Sequence, residues 1–194
     1  MKNFSGHTFC FLGRSGAGKD SQANLLQAFL EKEGYKVSRI STSNEARKLI
    51  AKDTAVGRWL KEILDRGDFF PDWITISLWM AVIQNEIKGD EVLIFSSSPR
   101  KLAEVYVLDD FSRATHRPMP VIVNLEISDD ESMGRLIKRG RDDDSPGVIS
   151  ERLSCFKRDV LPVLGYYGNR LLTVDGNGTV EDVNKRMMEK ILAE

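Results

Sequence analysis

Three glycines, Gly13, Gly16 and Gly18, precede Lys19 in the stretch "FCFLGRSGAGKDSQANLL". The spacing Gly13-x4-Gly18-Lys19 is that of a loop that wraps phosphate. Glycines let backbone N–H groups curl around an anion, and the lysine reaches a nucleotide's terminal phosphates. Such a loop works between a strand and a helix, whose N-terminus adds partial positive charge. An apolar run precedes it here and an amphipathic run follows, so the chemistry implied is nucleotide binding. One position departs. Where a hydroxyl usually helps to hold Mg²⁺, directly after the lysine, the chain has Asp20, and the hydroxyl comes one place later at Ser21.

The elements that must position this loop alternate along the chain. Strands are predicted at "HTFCFL", "YKVSRI", "EVLIF", "MPVIVNLEI" and "RLLTVD". The continuous apolar character of "EVLIF" marks a strand buried on both faces. Helices are predicted after the loop, where Ala23, Leu26 and Leu30 keep helical spacing up to Gly34, and over 44–52, 56–66, 72–88, from Pro99 onward, 129–138, 148–164 and at "TVEDVNKRMMEKILAE". Strand alternating with helix argues for an α/β protein: a five-stranded parallel sheet between two helical layers. Two stretches break the alternation, the extra helices of 42–71 and the charged loop of 139–147, and both are expected to be small mobile flaps on a rigid core.

Bulk properties narrow the function. A chain of 194 residues with net charge −1 has no global basic field for nucleic acid. No signal-peptide pattern opens it, and no run approaches the ~18 apolar residues of a membrane span. A soluble cytoplasmic protein acting as a monomer is expected, with small nucleotides as partners and neither nucleic acid nor membrane. Cys10 lies in a strand pattern and is expected to be a reduced core thiol; neither it nor Cys155 belongs to a recognisable metal ligand set. His7 and His116 lack a nucleophile or metal partnership in sequence and are expected to be structural or solvated. Trp59, Trp73 and Trp79 fall in helical patterns and are expected to pack the 42–71 flap.

Five ordered segments extend the reading. "GRSGAGKDSQ" resembles the "GxxGxGKGTQ" loop of adenylate kinases and related nucleoside monophosphate kinases. "ISTSNEARKLI" is similar to that family's "STGDxLR", "DRGDFFPDWI" to "xxGxLVPDxx", "IFSSSPRKLAEVYVL" to "xxDGFPRxxxQxxxL", and "RLIKRGRDDD…ISERL" to a trimmed lid. "DVLPVLGYY" and "VDGNGTVEDV" match the late helix and final turn. The resemblance covers nearly the whole chain. It implies a P-loop core of 1–41, 72–138 and 148–194, a nucleoside-monophosphate-binding insert at 42–71 and a short lid at 139–147.

The same resemblance assigns roles. The donor, ATP, would lie against Gly13, Ser15, Gly16, Ala17, Gly18, Lys19, Asp20 and Ser21, with Arg135 over its base and Gly178 in the final turn. The acceptor would meet Thr42, Arg47, the apolar pair Phe69 and Phe70, Arg100 and Glu104, which stands where the family reads the base with glutamine. Arg139, Arg141 and Arg152 would gather with Lys19 and Arg100 around the transferred phosphoryl group. Arginine suits this work because its planar, permanently charged fork matches phosphate oxygens. Asp143 and Asp144 match a lid aspartate pair, so "RDDDS" reads as a salt-bridged hinge rather than a metal-binding run.

The implied activity is transfer of the γ-phosphoryl group of Mg·ATP to AMP. Three departures leave alternatives. Two family aspartates that organise Mg²⁺ and its waters are replaced by Asn44 and Ser96. Asp20 either takes over part of that role, with Ser21 and through water, or points to solvent on a helix's first turn, where a carboxylate is favourable anyway. Glu104 as a carboxylate matches guanine N1–H and N2–H₂; for adenine it must be protonated or face elsewhere. The remaining readings are a kinase for GMP or a pyrimidine monophosphate, a small-metabolite kinase, and a non-catalytic nucleotide-binding protein.

Overall fold

The apolar run ahead of the glycine loop forms β1 (Thr8–Gly13), buried from Thr8 to Leu12. Its side chains alternate between two cores. Phe9 and Phe11 join Ala23, Leu26 and Leu30 of α1 (Lys19–Lys32) and Val183, Met187 and Ile191 of α9 (Val180–Ala193). Cys10 and Leu12 join the opposite core, built by α4 (Asp72–Glu86), α5 (Leu102–Ala114) and α8 (Leu161–Tyr167). A strand buried on both faces reads as a nearly continuous apolar run, and Phe9 to Leu12 supply one.

The computed structural model describes residues 3–140 and 144–193. With β2 (Val37–Ile40), β3 (Val92–Ser96), β4 (Val121–Glu126) and β5 (Leu171–Asp175), β1 makes a five-stranded, wholly parallel sheet of order β2-β3-β1-β4-β5. Phe11 pairs with Ser96 on one side and Val123 on the other. The chain moves to one side of β1 for β2 and β3 and to the other for β4 and β5, so the strand order reverses beside β1. Ligands of open α/β sheets collect at such a point, outside the carboxyl ends of the strands. The expected three-layer α/β architecture is therefore present.

The extra helices form a small body of their own. α2 (Thr42–Ile50) starts under Ser41, whose hydroxyl accepts the Asn44 N–H, and so begins two residues before the predicted position. α3 (Ala55–Arg66) starts under Thr54, which accepts the Gly57 N–H, and stops at Gly67 in the left-handed conformation. Ala46, Leu60, Ile63, Phe70, Ile74 and Leu78 make a separate core beneath them. Trp79 is a different case: it lies in the sheet core, edge-on to Phe95 at 5.3 Å. Trp59 and Trp73 are exposed and stack on each other at 6.0 Å with an interplanar angle of 13°. None of the three packs the flap's interior, which corrects the sequence expectation; α4 is apolar almost all round, so its pattern did not mark one buried face.

α6 (Asp129–Arg139) opens with Asp129, Asp130 and Glu131 against its positive end and closes with Lys138 and Arg139 against its negative end. The long helix predicted over 148–164 is interrupted. It is α7 (Pro146–Cys155), then a π-helical turn over Phe156–Val160, then α8. Among the described residues no helix is long and apolar enough to cross a membrane.

Candidate active site

The glycine loop leaves β1 at Gly13, where φ is +131° and an added Cβ would lie 2.3 Å from the Leu125 carbonyl oxygen. Strand β4 passes too close for any side chain. Gly16 and Gly18 also take positive φ, and α1 begins directly after them. The loop is fixed from outside: the Ser132 hydroxyl donates to the Ser15 carbonyl at 2.7 Å, and Arg14 Nε donates to Asp129 at 2.5 Å. Lys19 Nζ folds back onto the carbonyls of Gly13 and Arg14 at 2.9 and 2.7 Å. The strand–loop–helix geometry needed to cradle phosphate is thus in place.

A cavity of about 320 Å³ opens over this loop. Ser15, Gly16, Gly18, Lys19, Asp20 and Ser21 form one wall; Arg47, Phe69, Phe70 and Arg100 form another; Arg135, Arg139 and Arg152 close the remaining side. Gly13 lines a smaller recess that shares Ser15, Lys19, Phe69, Arg100 and Arg152 with it. So many cations around one space repel each other. Burial lowers the Lys19 pKa to about 7, with Arg100 and Arg139 adding to the fall and Asp20 opposing it. Burial likewise lowers that of Arg100. The cavity is a site for a polyanion.

Each arginine is held by specific partners. Arg100 Nε donates to the Ser97 carbonyl at 2.7 Å, and its guanidinium lies over the Phe69 ring at 4.5 Å. Arg139 grips Asp144 with two parallel bonds of 2.8 and 2.6 Å, and Arg152 reaches the same carboxylate at 2.8 Å. Asp144, whose side chain is only 1% exposed, thus ties the last turn of α6 to α7 by salt bridges. Arg135 donates to Gly176 in the turn after β5 and to Gly16 in the glycine loop. Arg47, at the exposed edge of α2, donates to Asn44 at 3.4 Å. Arg141 and Asp143 lie outside the described residues.

Other expected site residues stand off the cavity wall. Ala17 is buried under the loop. Thr42 is buried and shares a hydrogen bond of 2.9 Å with Ser98. Gly178 has φ +98° in the turn before α9, near Asp182. Glu104 is 1% exposed, and its carboxylate accepts the Arg100 backbone N–H at 2.9 Å, tying the segment ahead of α5 to the helix's first turn. Burial pushes its pKa up to about 7 against the pull of that N–H and the Arg100 charge, with Asp72 raising it further.

Sequence reasoning missed two features. Asp20 meets Arg39, Oδ1 to Nη2 at 3.4 Å, on the neighbouring strand β2. Asp68, also on the cavity wall, contacts Cys155 and Arg158 from the far side of the chain. Asp68, Glu151 and Cys155 lie close enough to suggest metal ligands, but Arg158 sits among them and supplies the positive charge.

A glycine loop at the reversal point of a parallel sheet, facing a cavity walled by basic side chains, defines a P-loop nucleotide-binding protein. A sequence model of the adenylate kinase family matches residues 11–171. The chain is similar to an adenylate kinase of Thermus thermophilus, 34% identical over 188 residues, with 94% of this chain and 95% of that protein covered. It is also similar to adenylate kinases of Prochlorococcus marinus (32% over 186 residues; 93% and 96% covered) and Corynebacterium urealyticum (28% over 174 residues; 90% and 93% covered). The chain belongs to the adenylate kinase family and is a phosphotransferase.

Proposed function

We propose that the cavity transfers the γ-phosphoryl group of Mg·ATP to AMP, giving two molecules of ADP. The observation that carries this reading is the convergence of Lys19, Arg47, Arg100, Arg139 and Arg152 on one cavity with an apolar pair, Phe69 and Phe70, at one side. Two nucleotides brought end to end repel through their phosphates. The cations offset that repulsion, and alignment with exclusion of water then favours transfer.

In this reading the glycine loop and Lys19 hold the donor's terminal phosphates, with Arg135 beside its base and Gly178 in the turn behind it. Arg47 and Arg100 grip the acceptor phosphate, Phe69 and Phe70 line the rest of the acceptor, and Thr42 supports them from behind the wall through Ser98. Arg139 and Arg152, with Arg141 outside the described residues, gather around the phosphoryl group as its charge redistributes. Residues 42–71 act as the acceptor insert and 139–147 as the lid, on the core formed by 1–41, 72–138 and 148–194. Action as a monomer is part of this reading.

The donor set fits Mg²⁺. Ser21 and Asp20 stand together on the phosphate wall, the Asp20 carboxylate is 75% exposed, and the Ser96 hydroxyl is buried without a hydrogen-bond partner. Ser21 would hold the ion, and Asp20 its waters. Bound there, the ion would supply positive charge that offsets the phosphates' negative charge. Adenine is the base that the similarity to adenylate kinases favours, and Glu104, bonded to the Arg100 backbone and absent from the cavity wall, gives guanine no partner there.

³¹P spectra of Mg·ATP mixed with AMP test the proposal: ADP signals should grow while ATP falls. ATP left intact beside AMP would overturn it.

A further inference from the structure

The acceptor wall and the helix that carries Arg152 meet along a seam. Gly67 ends α3 at φ +80°, and a Cβ there would lie 2.7 Å from Val148 Cγ1 and 2.9 Å from the Val148 carbonyl oxygen. The backbone of the insert is therefore pressed against the first turn of α7. The next residue, Asp68, turns its carboxylate across the seam. Its Oδ1 accepts the Phe69 N–H at 2.7 Å, the Cys155 thiol at 3.2 Å and Arg158 Nη2 at 3.1 Å.

We propose that Asp68, Cys155 and Arg158 form a clasp that positions the acceptor wall against the helix bearing Arg152, with Cys155 and Arg158 as positioning residues for transfer. The inference rests on the reading of Phe69 and Phe70 as the acceptor wall. Phe69 follows Asp68 directly and holds the Arg100 guanidinium on its ring, so a shift of Asp68 moves the groups that face the acceptor. On the other side, Arg152 lies three residues before Cys155 and shares its helix. Arg158 comes from the π-helical turn, and π segments frequently occur at functional sites.

The chemistry suits a clasp rather than a reactive thiol. Burial, then the hydrogen bond to Asp68, pushes the Cys155 pKa up to about 12, so the thiol is protonated and donates. Its single proton serves either Asp68 or Glu151, which stands 3.4 Å from the sulfur. Burial alone would raise the Asp68 pKa, but the thiol, the Phe69 N–H and Arg158 outweigh it and hold the carboxyl below its usual range. Arg158 is half-exposed and also pairs with Asp159 at 2.8 Å, so the unfolding temperature of each variant is read beside its kinetics.

A double-mutant cycle tests the clasp. Arg158→Met should raise the acceptor KM roughly 3- to 10-fold, as loss of one half-exposed hydrogen bond of ordinary strength implies, with the ATP KM within about twofold. Asp68→Asn should act in the same direction, and the double variant should be no worse than the more impaired single one. Cys155→Ser, which keeps the donor, should stay closer to wild type than Cys155→Ala. Multiplicative effects, or an ATP KM that rises in step, would overturn the clasp. Should the wild-type protein phosphorylate no nucleoside monophosphate, the acceptor reading falls by itself. Hydrogen exchange at residues 67–70 then decides the clasp: faster exchange in Arg158→Met supports it, and unchanged exchange overturns it.

Discussion

Asp20 and Arg39 meet between α1 and β2, carboxylate to guanidinium at 3.4 Å, while Arg39 also donates to Asn24 at 3.0 Å. This contact explains how a negative charge is tolerated one residue from Lys19. It is long and largely exposed, so it holds Asp20 only weakly. The carboxylate remains free to face an ion. Asp20→Gly should raise the half-saturating Mg²⁺ concentration about two- to fivefold, the scale of an exposed charge interaction. A Mg²⁺ titration at fixed nucleotide checks this; an unchanged midpoint would leave Asp20 a partner of Arg39 alone.

Lys19 predicts a proton linkage. Its pKa near 7 in the empty cavity means that much of it is neutral at pH 8. Bound phosphate favours the charged form and lifts the pKa. ATP binding should therefore take up little proton at pH 6 and most of one proton at pH 8. Calorimetry in buffers of different ionisation enthalpy reads the difference directly, and equal heats at pH 8 would contradict it.

Glu104 predicts a stability effect of known sign. Its folded pKa of about 7 lies above the ordinary carboxylate value of 4.5. Between these values the folded protein keeps a proton that the unfolded chain has lost, so stability falls as pH rises through that window. Above it the burden is of order 3 kcal/mol. Glu104→Gln, whose amide oxygen can still accept the Arg100 N–H, should raise the unfolding temperature at pH 8 and change it little at pH 5. A variant no more stable at pH 8 would show that Glu104 is not a buried ionising group.

Arg152 should act on the transfer itself. Arg152→Ala is expected to lower kcat by roughly 10²–10³-fold, the usual cost of removing a group aimed at developing charge. Steady-state kinetics would show it as a loss in kcat far larger than any rise in acceptor KM. A change confined to KM would make Arg152 a binding residue only.

Much of this was legible in the sequence because the chemistry is tied to residue type. Phosphate loops need glycines and a lysine at fixed spacing, and Gly13, Gly16, Gly18 and Lys19 took that geometry. The central strands β1 and β3 were legible because a strand covered on both faces is nearly continuously apolar, and the others from their apolar, β-branched runs between helical patterns. What stayed hidden depends on partners far away in the chain. Asp68 and Arg158 are 90 residues apart, and nothing local to either announces their contact. The π turn at Phe156 has no residue-type signature, so one helix was read across it. Glu104 turned on its rotamer: the same residue at the same place in α5 could face the cavity or the Arg100 backbone, and only packing decides.

The most direct test of the central claim is a comparison of initial rates of phosphoryl transfer from Mg·ATP to AMP, GMP, CMP and UMP. The account predicts turnover led by AMP, with Glu104→Gln leaving that order unchanged because the side chain stands off the cavity wall. Turnover led by GMP, and lost to AMP in Glu104→Gln, would contradict it by making the carboxylate the reader of the base.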